Sequence, residues 1–314
     1  MTKPLGTIVI TGINGFVGEH LAQHLQSSNF TVSGVGREVT PNPNVAPFLD
    51  SYQQADLLNE SQVNNLVLKN AAAIIHLAGL ASVAESFDKP DLYKTGNAEM
   101  TNNLLTAAEQ QGFAGRVVAA STGALYSSNQ PMPLSESAET TQGSPYAIGK
   151  LRAEEVIKQH RAAGADVVIA RPFNHIGPGQ GNGFLVADLY DQLNTAKESG
   201  VSDILVGNLA TKRDYTDVRD IVAAYAKLAT ADSLKHDTYN ISSGSSLAGF
   251  DILGYLQKAM NLESITPSVD QSKIRPTDAQ DIIGDSTRIQ EELNWTPVSS
   301  PEKAIIDFVA RRKL

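Results

Sequence analysis

Gly12-Ile13-Asn14-Gly15-Phe16-Val17-Gly18 is the stretch that decides the fold of this chain. It comes straight after the apolar run Ile8-Val9-Ile10, which reads as a strand over residues 6–11, and it opens a segment with helical periodicity over 15–26. Glycine at these three positions allows a tight turn, close approach of the backbone to a phosphate, and close packing of helix on strand. The helix that follows presents unbonded N–H groups and the positive end of its dipole at its N-terminus, which suits an anion. A glycine-rich turn with no ligand is the plainer alternative. Its position between a strand and a helix favours a dinucleotide site instead.

Outward from the loop, short apolar runs alternate with longer amphipathic segments. Strands are expected at 6–11, 31–35, 51–55, 72–76, 116–120 and 167–171, and helices at 15–26, 60–69, 91–111 and 145–163. Repeated strand-then-helix order implies a parallel sheet covered on both faces, and right-handed crossovers make it a doubly wound, Rossmann-like α/β fold. After Arg171 the rhythm changes: residues 172–183 hold several glycines and two prolines and read as a long loop. Beyond it the pattern gives helices at 184–198, 218–229, 249–260, 287–293 and 301–312, with strands at 204–207 and 238–241. The expected division is a dinucleotide-binding domain of residues 1–172 plus about 216–241. A smaller mixed α/β C-terminal lobe would be built from 173–215 plus 242–314.

Size and composition narrow the function. A chain of 314 residues can bury a large core, and 41% hydrophobic with 19% charged residues is ordinary for a globular protein. The formal net charge is −9 and no basic run occurs, so nucleic acid and anionic membranes are poor partners. An acidic chain that takes an anionic ligand must do so with a few placed arginines and helix N-termini. There is no cysteine, which excludes disulfides, thiolate catalysis and thiolate-ligated metals and fits a cytoplasmic location. The start of the chain has no signal-peptide core, no apolar stretch reaches membrane-spanning length, and no His/Asp/Glu group has metal-ligand spacing.

The second informative feature is Tyr146 and Lys150, four residues apart in Ser144-Pro145-Tyr146-Ala147-Ile148-Gly149-Lys150. Ser144 suits a helix N-cap and Pro145 the first helical position, so the two side chains share one helix face. A cation beside a phenol favours phenolate, and the spacing predicts a lowered tyrosine pKa and a usable acid–base group. The second strand ends at Arg37 with Glu38 past the expected contact point. Arg37 therefore favours the 2′-phosphate of NADP(H), with NAD(H) as the alternative.

The glycine loop, Ser121-Thr122-Gly123-Ala124-Leu125-Tyr126 and the Tyr146/Lys150 pair together resemble the extended short-chain dehydrogenase/reductase superfamily of nucleotide-sugar enzymes. The likeness runs through Asn294-Trp295 and covers nearly the whole chain. It implies that Gly12, Asn14, Gly15, Phe16, Val17, Gly18, Arg37, Asp56, Leu57, Leu77, Ala78 and Gly79 contact the cofactor. It also implies that Tyr146 exchanges a proton with the sugar oxygen, that Lys150 holds the nicotinamide ribose, and that Thr122 hydrogen-bonds the same oxygen. Dehydratases in this group carry a glutamate two residues before the motif tyrosine; here that position is Ala124, beside Gly123. Epimerising reductases of the fucose-synthase type use a cysteine, and this chain has none.

What remains is 4-keto reduction or 4-epimerisation. The second half, with Arg171 to Gln180, Arg213 to Asp220 and Arg275-Pro276, resembles the GDP-6-deoxy-D-mannose reductases and the related GDP-mannose dehydratases. That resemblance implies a GDP-sugar substrate, with Asn174 near the diphosphate, Arg213 and Arg275 on diphosphate or ribose, and Val186 at the guanine. Ser82 would approach the sugar, or would simply start a helix. Arg213 has an alternative as an ion-pair partner of Asp214 or Asp217. His175 reads as a loop-shaping residue, and His20 and His24 as surface or helix-face residues. The expected reaction is NAD(P)H-dependent reduction of GDP-4-keto-6-deoxy-D-mannose to GDP-D-rhamnose. A 4-epimerase holding NAD and a non-catalytic NADP-binding sensor are the rivals. Helices 91–111 and 145–163 resemble the pair that forms a four-helix bundle, which implies a homodimer.

Overall fold

The computed structural model describes residues 4–273 and 279–313. In chain order the first part runs β1 (Thr7–Thr11), α1 (Phe16–Ser27), β2 (Thr31–Gly36), β3 (Ser51–Gln54), α2 (Glu60–Asn64), β4 (Ala73–His76), α3 (Val83–Asp88), α4 (Pro90–Gln110), β5 (Arg116–Ala120), α5 (Pro145–Ala162) and β6 (Val167–Pro172). The second part runs β7 (Asn174–Ile176), α6 (Leu185–Ser199), β8 (Asp203–Val206), β9 (Lys212–Asp217), α7 (Val218–Thr230), β10 (Thr238–Ile241), β11 (Ser246–Ala248), α8 (Gly249–Met260), β12 (Thr266–Val269), β13 (Asp281–Ile282), α9 (Thr287–Leu293) and α10 (Pro301–Arg312).

Seven strands form one parallel sheet in the order β10-β6-β5-β4-β1-β2-β3. The expected Rossmann-like fold is the one observed. Strand order reverses between β1 and β4, and that switch point opens the crevice in which such sheets bind ligands. Alternation along β1 feeds both faces. Ile8 and Ile10 join a core with Leu21, Leu25, Ile221 and Tyr225 of α1 and α7, while Val9 joins Leu104 and Ile157 of α4 and α5 on the other side. The smaller lobe has its own core, in which Leu193, Leu256 and Phe308 bring α6, α8 and α10 together. Among the described residues no helix is long and apolar enough to cross a membrane.

The structure departs from the sequence-based expectation in three places. The helix expected over 60–69 stops at Asn64, because distant glutamine side chains take over its backbone groups. Gln53 Oε1 accepts from Val67 N at 2.7 Å, Gln111 Oε1 accepts from Leu68 N at 3.0 Å, and Gln111 Nε2 donates to Leu66 O at 2.7 Å. The expected loop 172–183 contains β7, which pairs in parallel with β9. The strand expected at 204–207 is found as β8 in the lobe, as the expected division has it, and pairs in parallel with β12. Finally, Ile289 and Trp295 pack into the core of the sheet domain, with Trp295 Nε1 donating to Asp220 O at 2.9 Å. The chain thus returns to that domain after residue 242, the start of the expected C-terminal lobe segment.

Candidate active site

The glycine loop sits at the switch point and is shaped by contacts that admit no side chain. Gly12 has φ +72°, and a Cβ there would lie 2.7 Å from Ala78 N and 2.9 Å from Leu77 C. A Cβ on Gly18 would lie 2.8 Å from Gly12 O, so α1 packs directly on the turn. Gly15 caps α1 without any side-chain bond, which leaves the first-turn N–H groups of Phe16, Val17 and Gly18 to a ligand. The wall formed by Leu77, Ala78 and Gly79 stands opposite, held by Ala78 N donating to Thr11 Oγ1 at 3.3 Å. These features fit a dinucleotide pyrophosphate.

At the end of β2, Arg37 is exposed. Glu38 does not run past the strand end as expected; it folds back, and its Oε2 accepts from Asn14 Nδ2 at 2.6 Å. That carboxylate would lie 3.3 Å from a Cβ on Gly36. The bond from Asn14 lowers the Glu38 pKa, so a negative charge stands beside the glycine loop. Asp56 is held locally, with Oδ1 accepting from Leu58 N at 3.0 Å, and Leu57 is buried.

The residues expected to do acid–base work lie on α5 and the segment after β5. Ser144 Oγ accepts from Ala147 N at 3.1 Å and Pro145 starts the helix, which turns Tyr146 and Lys150 inward. Tyr146 is buried with the Thr122 side chain close enough to oppose its pKa rise, and Thr122 Oγ1 accepts from Ala124 N at 3.1 Å. Lys150 is buried too, and its Nζ donates to Ala120 O at 2.8 Å. A Cβ on Gly79 would lie 3.3 Å from that ammonium, so the lysine borders the cofactor wall. One expectation is corrected here. Burial raises the Tyr146 pKa, and only Thr122 opposes the rise, because the lysine points to the Ala120 carbonyl. Burial also lowers Lys150 to about 8, with Glu154 opposing the fall.

On the substrate side the expected residues are not gathered equally. Asn174 is exposed at the start of β7. Arg213 Nη1 donates to Lys212 O at 2.7 Å and to Ala279 O at 2.8 Å, which ties one arm of its guanidinium to backbone. Its expected ion-pair alternatives are engaged elsewhere: Asp214 accepts from Ser243, Gly244 and Gly284, and Asp217 pairs with Arg219. Val186 is buried in the lobe core, so its side chain serves packing. Ser82 caps α3, its Oγ accepting from Glu85 N at 3.1 Å. Arg275 lies outside the described residues. His175 stacks on Phe16 of the glycine loop at 6.2 Å, and His20 is buried, with Nε2 bonded to Pro178 O at 2.7 Å. Of the two expected places for His20, the helix face is the one observed: it lies on the buried face of α1 and ties that helix to the 172–183 segment.

Residues 8–242 match the family described as NAD dependent epimerase/dehydratase. The chain belongs to this family. Its similarity to the GDP-6-deoxy-D-mannose reductase of Pseudomonas aeruginosa is 30% identity over 294 residues, covering 92% of this chain and 91% of that protein. A structure of RMD from Pseudomonas aeruginosa complexed with NADPH superposes with a TM-score of 0.84 at 27% identity, covering 98% of this chain and 100% of that one. The UDP-glucose 4-epimerase of Thermus thermophilus in complex with NAD superposes with a TM-score of 0.83 at 25% identity, covering 98% and 99%. This family member is an NAD(P)-dependent oxidoreductase of the nucleotide-sugar class.

Behind the expected acid–base residues of this family member lies a buried network that the sequence reading did not find. Glu154 accepts from Ser121 Oγ at 2.6 Å and from Arg171 Nε and Nη2 at 2.8 and 2.6 Å. Arg171 Nη1 donates to Tyr126 OH at 2.8 Å, and Tyr126 OH donates to Asn240 Oδ1 at 2.7 Å. Ser121 is thereby committed to Glu154. Spacing alone offered one signal, since Glu154 stands one further turn along the Tyr146/Lys150 face.

Proposed function

We propose that this enzyme reduces the 4-keto group of GDP-4-keto-6-deoxy-D-mannose with NADPH, giving GDP-D-rhamnose for glycan synthesis. The observation that carries the reading is the buried pair Tyr146 and Lys150 on one face of α5, next to a position where a dehydratase would need an acid. At that position stand Ala124 and Gly123, and a Cβ on Gly123 would already lie 2.8 Å from the Phe173 ring. A reduction starts from a phenol that still holds its proton, and burial keeps Tyr146 in that state. Tyr146 gives this proton to the C4 oxygen while Thr122 holds that oxygen in place, and Lys150 binds the nicotinamide ribose. The cofactor, when bound, supplies the hydride that completes the new C–H bond. Arg213 and Arg275 would neutralise the diphosphate locally, as an acidic chain requires, with Asn174, whose register partner on β9 is Tyr215, as a further contact.

Arg37 supports NADPH, since a guanidinium–phosphate contact contributes about 1.5–3 kcal/mol, roughly ten- to hundredfold in affinity. With the keto-sugar, the purified protein is expected to consume the absorbance of NADPH. Arg37→Ala is expected to raise KM for NADPH about tenfold while leaving NADH unchanged. Absence of turnover with either cofactor ends the proposal. A second reading, nucleotide-sugar 4-epimerase with held NAD, is favoured by one observation: the Glu38 carboxylate beside Gly36, where it suits a ribose hydroxyl and repels a phosphate. Stoichiometric NAD(H) in the purified protein would decide for it.

A homodimer through α4 and α5 belongs to the same proposal. The outward faces carry Thr95, Glu99 and Asn102 on α4 and Arg152, Glu155 and Gln159 on α5, so the bundle would be polar. Sedimentation should give twice the 33.5 kDa chain mass, falling toward one chain at about 0.5 M salt as charge pairs are screened. A single-chain mass at low salt overturns it.

A further inference from the structure

Lys150 and Glu154 occupy successive turns of one buried face of α5, with 9% and 2% exposure. The space they share is a small cavity of ≈ 10 Å³, about one water molecule, lined also by His76, Asn97, Thr101 and Ser121. The Glu154 carboxylate cannot drift. Oε1 is held by Ser121 and Arg171, and Oε2 by the second arm of the Arg171 fork. The groups facing Lys150 are few. From α5 come Tyr146 and Glu154; from β4 comes His76, which burial, aided by the Lys150 charge, holds neutral with a pKa of about 3. From α4 come the uncharged Asn97 and Thr101, and Arg171 of β6 stands beyond the carboxylate. Among the described residues Glu154 is thus the one anion facing this ammonium.

We infer that Glu154 is a positioning residue for Lys150: its fixed carboxylate is the counter-charge that keeps the buried ammonium protonated and anchored at the Ala120 carbonyl. The inference rests on the reading of Tyr146 and Lys150 as the working pair. Without this carboxylate, Lys150 would face burial with the Arg171 guanidinium as its nearest remaining charge, and both disfavour the ammonium. The lysine would then lose its proton, and with it the ribose contact, at lower pH.

The test is the pH profile of Glu154→Gln, which keeps the shape of the side chain and removes its charge. For the unsubstituted enzyme, kcat/KM is expected to fall above about pH 8, where Lys150 titrates. In Glu154→Gln that alkaline limb should move down by about one pH unit, with kcat/KM below the limb close to the original. Glu154→Asp, which keeps the charge, should restore the limb. NADPH affinity, followed by cofactor fluorescence across the same pH range, should show the same displacement without any sugar present. A protein that binds NADPH with this displacement but fails to reduce the keto-sugar keeps the inference and loses the proposed substrate. Should Glu154→Gln fail to fold, the double variant Glu154→Gln/Arg171→Gln removes both buried charges and should still show the lowered limb. An unmoved limb in both glutamine variants overturns the inference.

Discussion

Tyr146→Phe is expected to cut kcat about 10²–10⁴-fold, the range that a positioned general acid contributes, with cofactor affinity nearly unchanged. The reason is local. The ring is buried, and Phe preserves that packing, so the substitution removes only the hydroxyl. Lys150 keeps its anchor on Ala120 O and its place beside Gly79, so the ribose contact survives. Thr122 would still orient the sugar oxygen but has no comparable proton to give, since a free hydroxyl is a far weaker acid than a phenol. Steady-state kinetics with the keto-sugar, beside a cofactor titration, separates the two effects. A loss of less than about tenfold would take the proton donor away from Tyr146. A large loss of cofactor affinity would instead mark the phenol as a binding group.

The centre of the sheet was legible in the sequence because its strands are covered on both faces, which leaves apolar runs such as Ile8-Val9-Ile10 and Val117-Val118. The glycine loop was legible for a different reason: its backbone needs conformations and approaches that admit only glycine, as Gly12 against Ala78 shows. Of the lobe strands only β8 was legible. β9 reads Lys-Arg-Asp-Tyr-Thr-Asp, and its Asp214 is buried only because Ser243, Gly244 and Gly284 reach it from 29 to 70 residues away. α2 was overestimated for the same reason, since Gln53 and Gln111 capture the backbone that local propensity would have wound into helix. Within the site, helical spacing put Tyr146 and Lys150 on one buried face of α5, where both lie, but did not single out Glu154 one turn further on. It could not say where the ammonium points, and so it gave the tyrosine the wrong direction of pKa shift. Glu38 was misread because a side chain that doubles back to Asn14 leaves no mark in the spacing.

Arg171→Met is expected to destabilise the fold by about 3–5 kcal/mol, a large share of the roughly 5–15 kcal/mol that keeps a domain folded. Arg171 and Glu154 are 7% and 2% exposed, and their two-pronged contact is the strong kind of ion pair. Removing the guanidinium strands a carboxylate where water cannot reach it, and it also leaves Tyr126 OH without its donor. By contrast, breaking the exposed pair of Glu85 on α3 and Lys89 just beyond it should leave stability almost unchanged, because water screens both charges. Urea unfolding of the single variants gives these numbers directly, and a cost under about 1 kcal/mol for Arg171→Met would show that the fork is not closed in solution. The double variant Glu154→Gln/Arg171→Met should recover most of the loss, because a neutral polar side chain beside an apolar one is far cheaper to bury than an unpaired ion. It should not recover the alkaline limb of activity, because Lys150 still lacks its anion. Stability and pH profile therefore part company in this variant: the first depends on whether the buried charges balance, the second on whether a negative one stands beside the lysine.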